Sequence, residues 1–317
     1  MKSIKLMLGI AALAFGSSGA AAQVEWERVS PLDGRIIQSL AVDQDGSVYG
    51  ATFDGGVSRS DDDGQTWESL NEDLPNSNIF DVLVASDGSV FCATFGSGVF
   101  RSDDRGRSWV AVNEGLTNHE VLAIAATSDG AILVGTPYTG VFLSRDKGES
   151  WNHAGLPGTF VKDIATGPRG EIFVACSEAG VFRSVDGGQS WSRINAGLTN
   201  TDVWSITCDA SGIVYAATNG DGVFRSQDNG SSWVSISSTL PARNVGALVV
   251  AGRGTLLAGT SEGVFRTDND GKSWSRACDG LPVCPVRSFA LGSDGIVYLG
   301  TNGEGVFRSM ETTISMK

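Results

Sequence analysis

Seven tryptophans, Trp26, Trp67, Trp109, Trp151, Trp191, Trp233 and Trp274, follow one another at intervals of 41, 42, 42, 40, 42 and 41 residues. A chain tied to that period is built from one repeated supersecondary unit. Five of the tryptophans close an eight-residue box, Ser-x-Asp-x-Gly-x-Thr/Ser-Trp, first met at Ser60 to Trp67 and repeated up to Ser226 to Trp233. A weakened copy runs from Thr267 to Trp274, where Asn269 replaces the Asp. Each position has a physical use. A short Asp and a hydroxyl bond back to the turn that carries them, Gly permits a positive φ, and Trp drops a large ring behind the corner.

The residues around each box read as strands and tight turns. In the second unit, Ile79 to Ala85 is a strand, Ser86-Asp87-Gly88 a turn, Val90 to Phe95 a second strand, Gly98 to Ser102 a third, and Trp109 to Val112 a fourth after the box. Four short antiparallel strands in about 40 residues make one propeller blade. Third strands recur seven times, from Val57 to Ser60 through Val306 to Ser309. The seventh has neither box nor fourth strand after it, while Val24 to Val29 is a fourth strand with nothing before it. Pairing these two halves would close a ring and remove the open sheet edge. The sequence therefore predicts an all-β, seven-bladed β-propeller of four-stranded antiparallel blades, closed by the N-terminal strand completing the last blade.

Outside that unit, Lys2 and Lys5 precede an apolar run from Leu6 to Phe15 and the small residues Ala20-Ala21-Ala22. This reads as a cleavable secretory signal over 1–22, cut after Ala22, since the run is too short for a membrane span. The propeller then occupies 23–310, with a tail at 311–317, and the destination is periplasmic or secreted, with no membrane span after cleavage. Losing two lysines and no acids takes the net charge from −13 to about −15. Such acidity argues against nucleic acid as a partner. Cys92, Cys176 and Cys208 lie in apolar strands and read as inert thiols. Cys278 and Cys284 bracket a short loop and, in an oxidising compartment, form either a small disulfide worth about 2 kcal/mol or two free thiols.

Comparing the seven units with one another separates scaffold from site. One innermost-strand column stays apolar, from Ile37 and Ile79 to Val286, and is core. The next does not repeat: Gln38, Phe80, Leu122, Lys162, Trp204, Gly246, Arg287. Two residues before the constant column stand Arg35, Ser77, His119, Thr159, Thr201, Arg243 and Cys284. Arg243, Arg287 and Arg35 fall on blades six, seven and one, neighbours once the ring closes, so they form either an anion-binding patch or three local ion pairs with acids such as Glu304, Asp33 and Glu262. Trp204 lies off the tryptophan period and is either a stacking platform or a channel filler. Tyr138 alone among the tyrosines falls in a ligand-face loop; Tyr49, Tyr215 and Tyr298 share one core position. The third-strand arginines recur and read as structural. With only His119 and His153, no spaced His/Cys set and no distal Glu behind the Asp-rich corners, no metal or other cofactor is expected.

The boxes resemble the Asp-box (BNR) repeats of sialidases, xyloglucan-processing glycoside hydrolases, sortilin-type receptors and the photosystem II assembly and stability factor family. The resemblance covers almost the whole chain after the signal, and those families share the corner while differing in activity. Two functions stay open. Similarity to the assembly-factor group implies a monomeric, non-catalytic scaffold for a protein or peptide, with a basic patch that the three arginines could echo. Similarity to sialidases implies a glycosidase or carbohydrate-binding propeller, but those enzymes have six blades, an arginine triad and a Tyr–Glu nucleophile pair, and here Tyr138 lies across the ring from the arginines. The xyloglucan enzymes need a cleft between two propellers, which one ring does not supply.

Overall fold

The computed structural model describes residues 24–310 apart from 30, 31, 33, 76 and 253, so the expected signal and C-terminal tail lie outside the described residues. Seven four-stranded antiparallel sheets follow one another around a ring. The first is typical: Ile36–Val42 innermost, then Val48–Phe53, Gly56–Ser60, and a two-residue outer strand, Glu68–Ser69. Side chains alternate along these strands, so each sheet presents one face to each neighbouring blade. Between the second and third blades, for example, Phe91, Val121, Ile132 and Trp151 form one buried cluster. No helix occurs among the described residues.

Ring closure takes the predicted form. The last sheet is ordered Trp26–Arg28, Val306–Ser309, Val297–Thr301, Val286–Leu291, so the first strand of the chain completes the last blade. Trp26 pairs with Ser309, Glu27 with Arg308 and Arg28 with Phe307. Arg308 also donates to the Glu27 carboxylate at 3.0 Å.

The periodic tryptophans tie each blade to the one before it. Trp109 Nε1 donates to Leu70 O at 2.7 Å, Trp151 to Val112 O, Trp233 to Ile194 O, and Trp26 to Ala277 O across the join. The boxes hold themselves together as expected. In the first, Ser60 Oγ donates to Asp62 Oδ1 and accepts the Gly64 amide, and Thr66 donates its amide and hydroxyl to the two Asp62 oxygens. Gly64 is required twice over: its φ is 90°, and a Cβ there would sit 2.7 Å from Val29 Cγ2. Asn269 keeps the pattern in the sixth corner, accepting from Thr267 Oγ1 through its carbonyl and donating to Ser273 Oγ through its amide.

Third-strand arginines reach across to the next blade's corner. Arg59 Nη1 donates to Arg105 O and Arg101 Nη1 to Lys147 O, while Arg225 pairs with Asp270 and Arg308 with Asp63. Blade three has Leu143 at this position, and Arg145 takes over the reach to Gly187 O. The disulfide alternative for Cys278 and Cys284 is not realised: both are free. Cys278 Sγ instead faces the amide and carbonyl of Val264 at 3.2 Å. That is the place where Asn71, Asn113 and Asn195 accept the third-strand amides of Val57, Val99 and Val181.

Candidate binding site at the channel mouth

The innermost strand of each blade has no strand on its channel side, so its outward backbone groups need other partners. Near its start the strand also breaks register. Pairing skips between Ile37 and Ser39, Ile79 and Asp81, Val161 and Asp163, Val203 and Ser205, Val245 and Ala247, and Val286 and Ser288. The skipped residue in each is the one that varied from unit to unit. A bulge leaves one residue unpaired and re-aims its side chain. Here Gln38, Phe80, Lys162, Trp204, Gly246 and Arg287, with Leu122 of the third blade, all line one central cavity of about 320 Å³.

On blades two and four the residue after the bulge is an aspartate that takes up unpaired amides. Asp81 Oδ1 accepts from Ser39 Oγ at 2.6 Å and from its own neighbour's amide, Val82 N, while Oδ2 accepts from Ile124 N at 2.9 Å. One carboxylate thus ties blades one, two and three around the channel. Asp163 does the same between blades four and five, accepting from Ile164 N and Ile206 N. Burial pushes the Asp81 carboxyl up to about 7 against those hydrogen bonds, and the charge of Asp163 adds to the rise. Asp163 is raised too, again by burial. Sequence comparison passed over both, although an Asp two periods apart inside otherwise apolar strands was a readable sign.

Lys162 holds its ammonium 4.3 Å above the Phe160 ring, and burial lowers its pKa against the pull of Asp202. Phe160 in turn takes Tyr138 edge-on, centroids 5.3 Å apart. Tyr138 has a φ of 60°, costly for an aromatic residue, and is 70% exposed at the rim. Trp204 is oriented by its own N–H, which donates to Asp202 Oδ1 at 3.1 Å; Ser177 and Asn219 bind the same carboxylate. Phe80 lies between Phe53 and Phe95, centroids at 6.2 and 5.4 Å.

The arginines separate. Arg287 is exposed, lines the cavity and makes no ion pair among the described residues. Arg35 donates to Asp54 O at 3.4 Å, and Arg243 offers its carbonyl to the Gly220 and Gly222 amides; neither lines the cavity. Asp33 lies outside the described residues; Glu304 pairs with Arg28 instead, and Glu262 makes no ion pair among the described residues. His119 and His153 also stand away from the cavity, and among the described residues no three metal-ligating side chains come together.

A family model for the DUF6242 β-propeller domain matches residues 165–294, from the fourth blade into the seventh. Among curated proteins no sequence match was found. The fold is shared with YCF48 bound to D1 peptide, at a TM-score of 0.74 and 17% identity over 90% of this chain and 97% of that one. It is shared with virginiamycin B lyase from Staphylococcus aureus, at 0.75 and 14% over 91% and 99%. The extracellular domain of a putative one component system from B. thetaiotaomicron matches at 0.74 and 16%, over 92% of this chain but 40% of that one. At these identities the likeness is one of fold. The chain is a seven-bladed β-propeller whose neighbours include a peptide-bound protein and a lyase.

Proposed function

We propose that the chain is an exported, non-catalytic propeller that holds a peptide segment of a protein partner at its channel mouth. The observation that carries this reading is the bulge column: seven equivalent scaffold positions turn into one cavity, and their side chains differ from blade to blade. Scaffold positions repeat because the blade needs them; these do not. A cavity of about 320 Å³ is at the small end of ligand pockets, which run to roughly 1,000 Å³. It takes one or two side chains of a partner. Arg287 and Lys162 favour a carboxylate among them. A structural neighbour bound to a peptide supports the same reading. The test is titration of labelled synthetic acidic peptides against the purified chain. Arg287→Ala should weaken binding about tenfold, the ~1.4 kcal/mol of one charge-assisted hydrogen bond. Affinity unchanged by that substitution rejects the site, and cell fractionation tests the export.

A carbohydrate reading rests on Trp204, whose fixed indole edge leaves a face for a sugar ring to stack on. In its catalytic form it is sialidase-like. A fluorogenic sialoside decides it: turnover that disappears on changing Tyr138 to Phe or Arg287 to Ala would replace the scaffold reading.

A further inference from the structure

The mouth of the channel is chemically divided. Besides the bulge column, a second set of equivalent positions rings it, at the end of each second strand, where the backbone bridges to the next blade. Phe95 bridges to Glu120, Pro137 to Phe160, Asn219 to Asn244, and Asn302 to Ile36. In blades one to three these positions are Phe53, Phe95 and Pro137; in blades four to seven they are Ser177, Asn219, Ser261 and Asn302. In the bulge column both cations, Lys162 and Arg287, fall on the second side with Trp204 and Gly246 between them, while Gln38, Phe80 and Leu122 stand on the first.

A second-strand column that turns from apolar to polar between blades three and four, with both cavity cations on the polar side, is not a scaffold requirement, because the blades on either side are built alike. On the apolar side Phe53, Phe80 and Phe95 form a three-ring platform across two blades, and Phe95 is 39% exposed. A solvated aromatic platform beside a cavity is a docking feature. On the other side Lys162 and Arg287 line the cavity and make no ion pair among the described residues, the oxygens of Asp202 beside Lys162 are taken by Ser177, Asn219 and Trp204, and burial shifts the two acids that line the cavity, Asp81 and Asp163, toward their neutral form. Charge complementarity therefore selects an anion on that side and an apolar group on the other.

Resting on the peptide reading above, we propose that the mouth binds an acidic segment carrying an apolar anchor, in one fixed direction. The anchor lies over Phe53, Phe80 and Phe95, and the carboxylates reach Lys162 and Arg287.

Fluorescence anisotropy with three labelled octapeptides tests this. One has a phenylalanine and two leucines followed by glutamates, one has glutamates spaced by glycine, and one repeats the first with lysine for glutamate. The first should bind at least tenfold more tightly than the second, and the third should not bind. Phe95→Ser and Phe80→Leu should each erase most of the preference for the first while leaving the second unchanged; Arg287→Glu should weaken both. Phe95 is exposed enough for its replacement to fold, which a matching thermal transition verifies. Equal binding of the first two peptides, indifferent to Phe95→Ser but lost in Arg287→Glu, overturns the anchor and leaves peptide binding standing. Failure of both acidic peptides to bind overturns this proposal and the peptide reading together. Displacement of the first peptide by dodecanoate at equal affinity assigns the mouth to small amphipathic acids instead.

Discussion

Asp81 on the second blade accepts the amide of Ile124 on the third at 2.9 Å, so a single carboxylate spans the inner edge of two sheets. Its raised pKa has a definite sign. A carboxyl at about 7 in the folded chain, against an ordinary 3.8, binds more protons folded than unfolded between those values. Its contribution to stability is fullest below about pH 4 and is lost as pH rises to about 7. Asp81→Asn should flatten the fall in melting temperature between pH 4.5 and 7.5. An unchanged slope shows that this carboxyl titrates normally.

The corner aspartates act in the opposite sense. Hydrogen bonds from Ser108, Ser150, Ser190 and Ser232 hold Asp104, Asp146, Asp186 and Asp228 down at about 2. Folded values below the unfolded 3.8 mean stability that is present above about pH 4 and lost as pH falls toward 2. Asp146→Asn should fold, because Asn269 makes the same corner, and should unfold over a less steep acid limb. Circular dichroism from pH 5 to 2 reads the difference; a limb as steep as that of the parent chain contradicts it.

Closure of the ring rests on a strand of three residues, of which Trp26 is the one that is buried. Trp26 is 3% exposed and donates to Ala277 O at 2.9 Å. Trp26→Ala should cost about 3–5 kcal/mol, as for other buried aromatics cut to Ala. Urea unfolding measures it. A loss under about 1 kcal/mol, well below that range, would mean that the first strand adds little to the last blade.

Cys278 occupies a position filled in blades one, two and four by asparagine, whose side chain also donates to the turn carbonyl, as Asn71 does to Gly55 O at 2.8 Å. Cys278→Asn should leave the melting temperature unchanged or raise it. Alkylating the unfolded chain without reductant should label five thiols. Three labels would show that Cys278 and Cys284 are joined.

Much of this was legible because the chain carries seven drafts of one blade. Trp26 and Phe307 could be joined from their missing partners, and Gln38 through Arg287 could be separated from Ile37 through Val286 because one column varied and the other did not. The bulge that turns the variable column inward was not legible, since no residue type marks it. That same omission hid Asp81 and Asp163, which look like intrusions in apolar strands until the unpaired amides of Ile124 and Ile206 are seen beside them. Arg35 and Arg243 share a column with Ser77, His119 and Thr159, but three positions before the bulge neither side chain lines the cavity. The asparagine column that explains Cys278 was readable at Asn71, Asn113 and Asn195, and a close pair of cysteines drew attention from it.

Hydrogen exchange with the amphipathic acidic peptide bound tests most directly that the variable bulges are the binding surface. The account predicts slowed exchange at 78–82, 160–164, 203–206 and 286–289, where the bulges lie, with the box corners unchanged. Protection confined to the corners, such as 102–109 or 226–233, would contradict it.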